Sequence, residues 1–257
     1  MVILMLACNS QLVEPLPQPR SAKVPTIDQE QALQHSVASE ESTGSAVLLD
    51  GQKISVSWDD GDTFKGVHPS TGKKISARLA GFNSLESYGP VHRWGEWSTE
   101  ELFFLAKEAG NFAAAKQWSC TDTGKGGGYG RLLVDCPDLR REILEAGLAH
   151  SFSVGSAASE EDLEAQRVAI ENKSGMWAKG VPKLLLTSLH SQDEKPNQNT
   201  YNRSCVVNTG QCDKVTHTFT YTECQLVCTP ELPASCMLYV PYKRRYGADR
   251  AECLKLQ

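Results

Sequence analysis

Several things are missing from this sequence. No apolar run reaches the roughly twenty residues that a membrane-spanning helix needs. There is no basic excess: 26 Lys and Arg stand against 31 Asp and Glu, a formal net charge of −5. That excludes the broad cationic surface of tight, non-specific nucleic-acid binders, and leaves only local positive patches for such a ligand. No segment repeats along the chain. The histidines (His35, His68, His92, His150, His190 and His217) show no ligand spacing, so no metal is assigned to them. The run GKGGG (Gly124–Gly128) lacks the Gly, Lys and Ser/Thr order of a phosphate-binding P-loop and reads as a flexible turn. What is present is 257 residues with 40% apolar content, enough for a core and for one large or two modest domains.

Cysteine is plentiful. Nine occur, and Cys205, Cys212, Cys224, Cys228, Cys236 and Cys253 crowd the last third. The N-terminal MVILMLAC ends an apolar run at Ala7-Cys8 and resembles the end of a bacterial lipoprotein signal. The run is short and no basic residue precedes it, so a plain signal peptide or a chance apolar start are the rival readings. With Cys8 lipidated, eight cysteines remain, an even number that suits disulfides in an oxidising compartment. The expectation is an exported protein, either a cell-envelope lipoprotein or secreted, without a transmembrane helix and monomeric.

Composition divides the chain. Residues 1–8 are signal-like, and residues 9–45, rich in Gln, Ser, Pro and Glu, read as a tether. Residues 46–183 carry regular patterns, 184–203 read as a linker, and 204–257 as a cysteine-rich module. KISVSWDD alternates, with Ile54, Val56 and Trp58 on one face, and KKISARLAG does so with Ile75, Ala77 and Leu79. PSTG (Pro69–Gly72) reads as a turn. Ser98 and Glu101 form a capping-box pattern, and Leu102, Leu105, Ala106, Ala109, Phe112 and Ala113 follow at helical spacing. AKQWSC and RLLVDC read as strands around the loop TDTGKGGGYG. Cys120 and Cys136 lie symmetrically about Gly128, which predicts a cross-strand disulfide over the alternative of two buried thiols. Asp138 is expected to cap a helix reaching Ala149, and Ser159 with Asp162 to start another through about Lys173. The fold class is therefore α+β: a small, partly open five-stranded barrel with three helices, plus a small disulfide-rich C-terminal domain.

Five motifs in order carry a resemblance. They are Asp60-Gly61-Asp62-Thr63, then Arg78-Leu79-Ala80-Gly81 with Glu86, then Tyr129-Gly130-Arg131, EAGLA (Glu145–Ala149) and GMWA (Gly175–Ala178). Over residues 46–183 the chain resembles the thermonuclease (staphylococcal nuclease-like) family. The resemblance implies an OB-fold and calcium-dependent hydrolysis of DNA or RNA. It casts Asp62 as a metal carboxylate and Ser84 as a backbone oxygen ligand. Glu86 orients the water and takes its proton. Arg78 and Arg131 grip phosphate oxygens, and Tyr129 stacks on a base or donates to a phosphate. Two positions depart from the family pattern. Asn83 stands where the family has its second metal-ligand aspartate and still offers a metal its neutral side-chain carbonyl oxygen, and Leu85 replaces the proline before the glutamate. One charge is thereby lost from the site, and calcium affinity follows ligand charge. Asp59 and Asp60 read as solvated turn residues, with a water-mediated ligand role as the rival.

No family resemblance is assigned to residues 204–257. Cys224 and Cys228 have a spacing at which zinc is conceivable, but disulfides suit an exported chain better. VTHTFTYTEC alternates like a strand. YVPYKRRYG (Tyr239–Gly247) mixes tyrosines with Lys243, Arg244 and Arg245, a composition that holds a nucleic-acid strand or merely decorates a solvated loop. Three functions follow: a nuclease; a weakened OB module that binds nucleic acid or another polyanion without cutting, favoured by Asn83; or an attachment protein defined by its tail.

Overall fold

The computed structural model describes residues 45–68 and 70–255. Cys8 and nearly all of the expected tether lie outside the described residues. Ala46–Leu49 (β1) is a short apolar strand. Asp50 and Gly51 follow with φ of 50° and 79°. That is the backbone of a two-residue hairpin turn whose twist matches its strands. Gln52–Trp58 (β2), Thr63–Val67 (β3) and Lys74–Leu79 (β4) continue the meander. Phe82–Ser84 (β5) and His92–Trp94 (β6) leave the barrel before the helix Thr99–Ala114 (α1). Trp118–Gly126 (β7) and Leu132–Asp135 (β8) then complete it. The strand order is β1-β2-β3-β4-β8-β7, closed by parallel pairing of Val47 with Trp118. The barrel is thus closed and six-stranded, where the sequence predicted five strands and a partly open wall. AVLL is too short to alternate, so its strand character was not visible. Much of the predicted glycine-rich loop is also strand, because β7 runs on to Gly126.

The three predicted helices are present. The Ser98 hydroxyl accepts from the Glu101 N–H at 3.2 Å, and the Glu101 carboxylate accepts from the Ser98 N–H at 3.0 Å. This capping box starts α1 as the pattern predicted. Pro137–Glu145 (α2) begins one residue ahead of the predicted cap Asp138, because Pro137 suits the first helical turn. It ends at Glu145, short of Ala149, because Gly147 turns left-handed (φ 67°). A Cβ there would lie 2.3 Å from the Ser174 carbonyl, and one on Gly175 would lie 2.2 Å from that of Gly147. The EAGLA and GMWA motifs are therefore two sides of one backbone contact. Ala149–Ser151 (β9) and Ser153–Val154 (β10) follow, then Glu160–Glu171 (α3), capped by Ser159.

The predicted linker 184–203 contains Leu184–Ser188 (β11) and the start of Thr200–Val206 (β12). Leu185 and Leu186 are buried, which explains why this stretch is a strand. Gln211–His217 (β13) completes a sheet in the order β10-β13-β12-β11, and the predicted VTHTFTYTEC strand stops at His217. Leu226–Cys228 (β14) pairs with Ser235–Leu238 (β15), and β15 pairs in turn with β6, Met237 opposite His92 and Ser235 opposite Trp94. The cysteine-rich residues are not a distinct domain. Tyr88 and Val91 share one apolar cluster with Met237, Tyr239, Val240, Ala251 and Leu254, and the described residues fall in one compact unit. Cys120 and Cys136 are disulfide-bonded as predicted. The tail pairs are Cys205–Cys212, Cys224–Cys253 and Cys228–Cys236, so neither Cys224 nor Cys228 is available to zinc. Among the described residues, no helix is long and apolar enough to cross a membrane.

The barrel core gathers Val47, Ile54, Phe64, Ala77, Leu79 and Val134 under Ala109 and Ala113 of α1 and Leu139 and Ile143 of α2. Small residues on α1 let the Asp60–Thr63 turn sit against it. A Cβ on Gly61 would lie 2.9 Å from the Ala109 Cβ and 3.1 Å from Ile143.

Candidate functional site

The turn before β3, the ends of β4 and β5, the loop after β5, and the β7–β8 loop converge. Asp62 is the pivot and is only 1% exposed. Its backbone carbonyl accepts from the Leu79 N–H at 2.8 Å, which locks the turn to β4. Its Oδ1 accepts from Arg78 Nη1, in a short ion pair, and from the Thr63 hydroxyl at 2.9 Å. Its Oδ2 accepts from the Ser84 N–H at 2.8 Å and the Ser84 hydroxyl at 3.2 Å. Arg78 Nη2 reaches the Asn83 side-chain oxygen at 2.5 Å, and the Asn83 amide donates to the Ser84 carbonyl at 2.6 Å. One guanidinium therefore crosslinks the turn to β5.

This arrangement does not fit a calcium ion. The cation requires six to eight or so oxygens. Here Asp62, Asn83 and the Ser84 carbonyl, the three predicted ligands, all accept hydrogen bonds from the protein. Among the described residues, no group of three or more His, Cys, Asp or Glu could hold a metal. The substitution at Asn83 gives the physical reason. The Asp62 carboxylate is paired with the Arg78 guanidinium, and the neutral Asn83 amide beside it adds no charge to draw a cation to those oxygens.

Asp59 is exposed and paired with Lys65 at 2.5 Å, as a solvated turn residue should be. Asp60 differs from its predicted role. It is half-buried, and its carboxylate accepts from the Asp62 N–H at 3.1 Å. Burial, then the charges of Asp62 and Glu86, push its carboxyl well above the ordinary range, against Arg78. Burial also raises the Glu86 carboxyl; Arg245, Arg78 and Arg131 oppose the rise and Asp62 adds to it. Glu86 thus lies in the combined field of two other carboxylates and three guanidiniums.

Tyr129 and Arg131 lie on the β7–β8 loop, where Gly128, Tyr129 and Gly130 have φ of 77°, 53° and 75°. A bulky residue in the left-handed region is uncommon and signals constraint. Tyr129 is 88% exposed, and the Arg131 guanidinium lies 5.7 Å from its ring centroid. Arg131 donates only to the Gly127 and Gly128 carbonyls, each at 3.2 Å, and among the described residues it has no acidic partner. A Cβ on Gly127 would lie 2.9 Å from that of Arg78, so the loop packs directly against the base of Arg78.

Sequence reasoning missed the buried support. The Glu86 N–H donates to His92 Nε2 at 3.2 Å, which leaves the proton on Nδ1. His150, paired with Asn83 across β5 and β9, donates from Nδ1 to the Ser151 carbonyl at 2.9 Å, which leaves Nε2 bare. Burial holds both rings neutral, His92 down at about 3 and His150 at about 4. Single histidines in short strands give no periodic signal. Phe152 was also missed; the Arg78 guanidinium stands 5.6 Å from its ring centroid. Arg245 was named only as part of a basic run.

No protein-family model matches the chain, and no curated protein matches it.

Proposed function

We propose that this site hydrolyses phosphodiester bonds of DNA or RNA with low sequence specificity, as the resemblance to the thermonuclease family implies. The observation that carries the reading is the setting of Glu86. A carboxyl held above its ordinary range, among guanidiniums, suits a group that takes a proton from water beside a bound phosphate. For binding alone, the carboxylates of Asp60, Asp62 and Glu86 are a liability, because they repel the ligand. Arg78 organises the site through both terminal nitrogens. Arg131, free of any acid among the described residues, meets the phosphate oxygens as charge builds on them. Tyr129 offers a stacking face. The four disulfides support the further reading that the protein works in an oxidising compartment outside the cytoplasm.

A second reading, polyanion binding without cleavage, is favoured by the engaged oxygens of Asp62, Asn83 and Ser84. Release of acid-soluble nucleotide separates the two. Wild type, Glu86→Gln and Asn83→Asp are compared with calcium, magnesium, manganese or chelator. Cutting by wild type and a loss of roughly a hundredfold or more in Glu86→Gln is expected. Cutting only by Asn83→Asp would favour the binding reading. No cutting by any variant would remove the enzyme reading altogether.

A further inference from the structure

We infer that the cysteine-rich C-terminal segment forms the second wall of this site, with Arg245 as a phosphate-binding residue and Tyr242 and Tyr246 as stacking faces for a single nucleic-acid strand. The inference rests on the phosphodiester reading above and adds what that reading does not require, a substrate surface outside the barrel.

Strand pairing places the segment. β15 adds to β6, six residues beyond Glu86, so the chain after β15 is delivered to the Glu86 loop. Leu254 and Arg250 pack against that loop, where a Cβ on Gly89 would meet the Leu254 Cδ2 at 2.8 Å. Arg250 also donates to the Tyr88 carbonyl. A small cleft lies between the two parts, lined by Glu86, Tyr88, His190, Met237, Val240 and Arg245. Glu86 and Arg245 thus share one concavity, although 159 positions separate them (245 minus 86).

The basic run divides its labour. Arg244 bonds the Glu223 carboxylate at 2.8 and 3.2 Å and the Asp249 carbonyl, so it is structural. Lys243 is exposed. Arg245 donates to the Val240 carbonyl at 3.0 Å and lies 4.8 Å from the Tyr88 ring centroid. Among the described residues it has no acid in a salt bridge, yet it is the strongest positive influence on Glu86. A guanidinium so held keeps its charge and its fork for an anion.

The tyrosines supply the class of ligand. Tyr242 is 73% exposed and Tyr246 61%. Their rings meet edge to face at 6.4 Å, and Tyr246 meets Tyr88 likewise at 6.1 Å. Tyr129 stands exposed beside Arg131 on the barrel side. Each wall therefore pairs exposed tyrosine with an acid-free arginine around the same carboxylate. Aromatic faces stack on unpaired bases, whereas a duplex hides its base faces. The Cys224–Cys253 disulfide closes the stretch that carries this wall.

Fluorescence anisotropy tests this with labelled single-stranded DNA, the matching RNA and duplex DNA, using the full chain in the non-cutting Glu86→Gln background. Tyr242→Ala with Tyr246→Ala should weaken single-strand binding about tenfold or more and leave duplex binding unchanged. Arg245→Ala should weaken binding more than Lys243→Ala does. Both tyrosines are exposed, and unchanged thermal unfolding verifies the fold. Single-strand binding lost in Arg131→Ala but unchanged in the tail variants would overturn the second wall and leave the barrel site standing. Equal losses on single strand and duplex would overturn the stacking role. No nucleic-acid binding in the parent would overturn both readings together.

Discussion

Asn83 leaves Asp62 without a second carboxylate directly beside it on β5. An aspartate there would give a cation two carboxylates and would compete with Asp62 for Arg78. Isothermal calorimetry should detect no calcium binding to the wild type at millimolar concentration, and clear binding to Asn83→Asp. Millimolar or tighter binding by the wild type would contradict the ion-pair reading. The buried histidines set a pH dependence. Each is held below its unfolded value of about 6.5, so the unfolded chain binds more protons below that pH. The stability they confer is complete above about pH 6.5. It falls by up to about 1.4 kcal/mol per pH unit for each ring as the solution is acidified, down to about 4 for His150 and about 3 for His92. Asp60 and Glu86, raised in the folded state, oppose this below their own folded values. Urea midpoints should therefore drop between pH 7.5 and 5.5. A profile that stays flat even with Asp60→Asn and Glu86→Gln, which remove the opposing groups, would show that these rings are solvated.

At the scale of elements, much was legible. The capping box of α1, the alternation of β2 and β4, and the Cys120–Cys136 pair lie where the sequence placed them, because each rests on local spacing. The short strands were not legible. β1, β5, β6 and β9 have three or four residues, too few to show a period, and their partners are far away in the chain. Of the site, Asp62, Arg78 and Asn83 were found through motifs, and the structure joins them. The inward turn of Asp60 and the histidines behind Glu86 depend on tertiary packing and were not. The Asp60–Thr63 turn depends on Gly61 lying flush against α1. Gly61→Ala should destabilise the fold by about 1–3 kcal/mol through overpacking, read as a lower denaturant midpoint. An unchanged midpoint would mean that α1 yields without cost.

For the whole molecule, the sequence suggested a barrel with an appended module, and the structure gives one unit. The composition shift after residue 188 is real, but polar residues there belong to a sheet with a wet face. The tail earns its place by pairing β15 with β6 and by carrying Arg245 to Glu86. Replacing Cys224 and Cys253 by alanine removes the closure of a stretch with a sequence separation of 29. That should cost about 3–4 kcal/mol and should also raise KM for single-stranded DNA more than it changes kcat. An unchanged KM would mean that the wall holds its shape without the bridge. We propose that Glu86 performs chemistry on a bound strand. The most direct test is single-turnover cleavage of end-labelled single-stranded DNA by saturating wild type and Glu86→Gln. A fall of roughly a hundredfold or more in rate, with binding kept, is the expected result. Equal rates, or intact DNA under wild type in every divalent cation and in chelator, would contradict it.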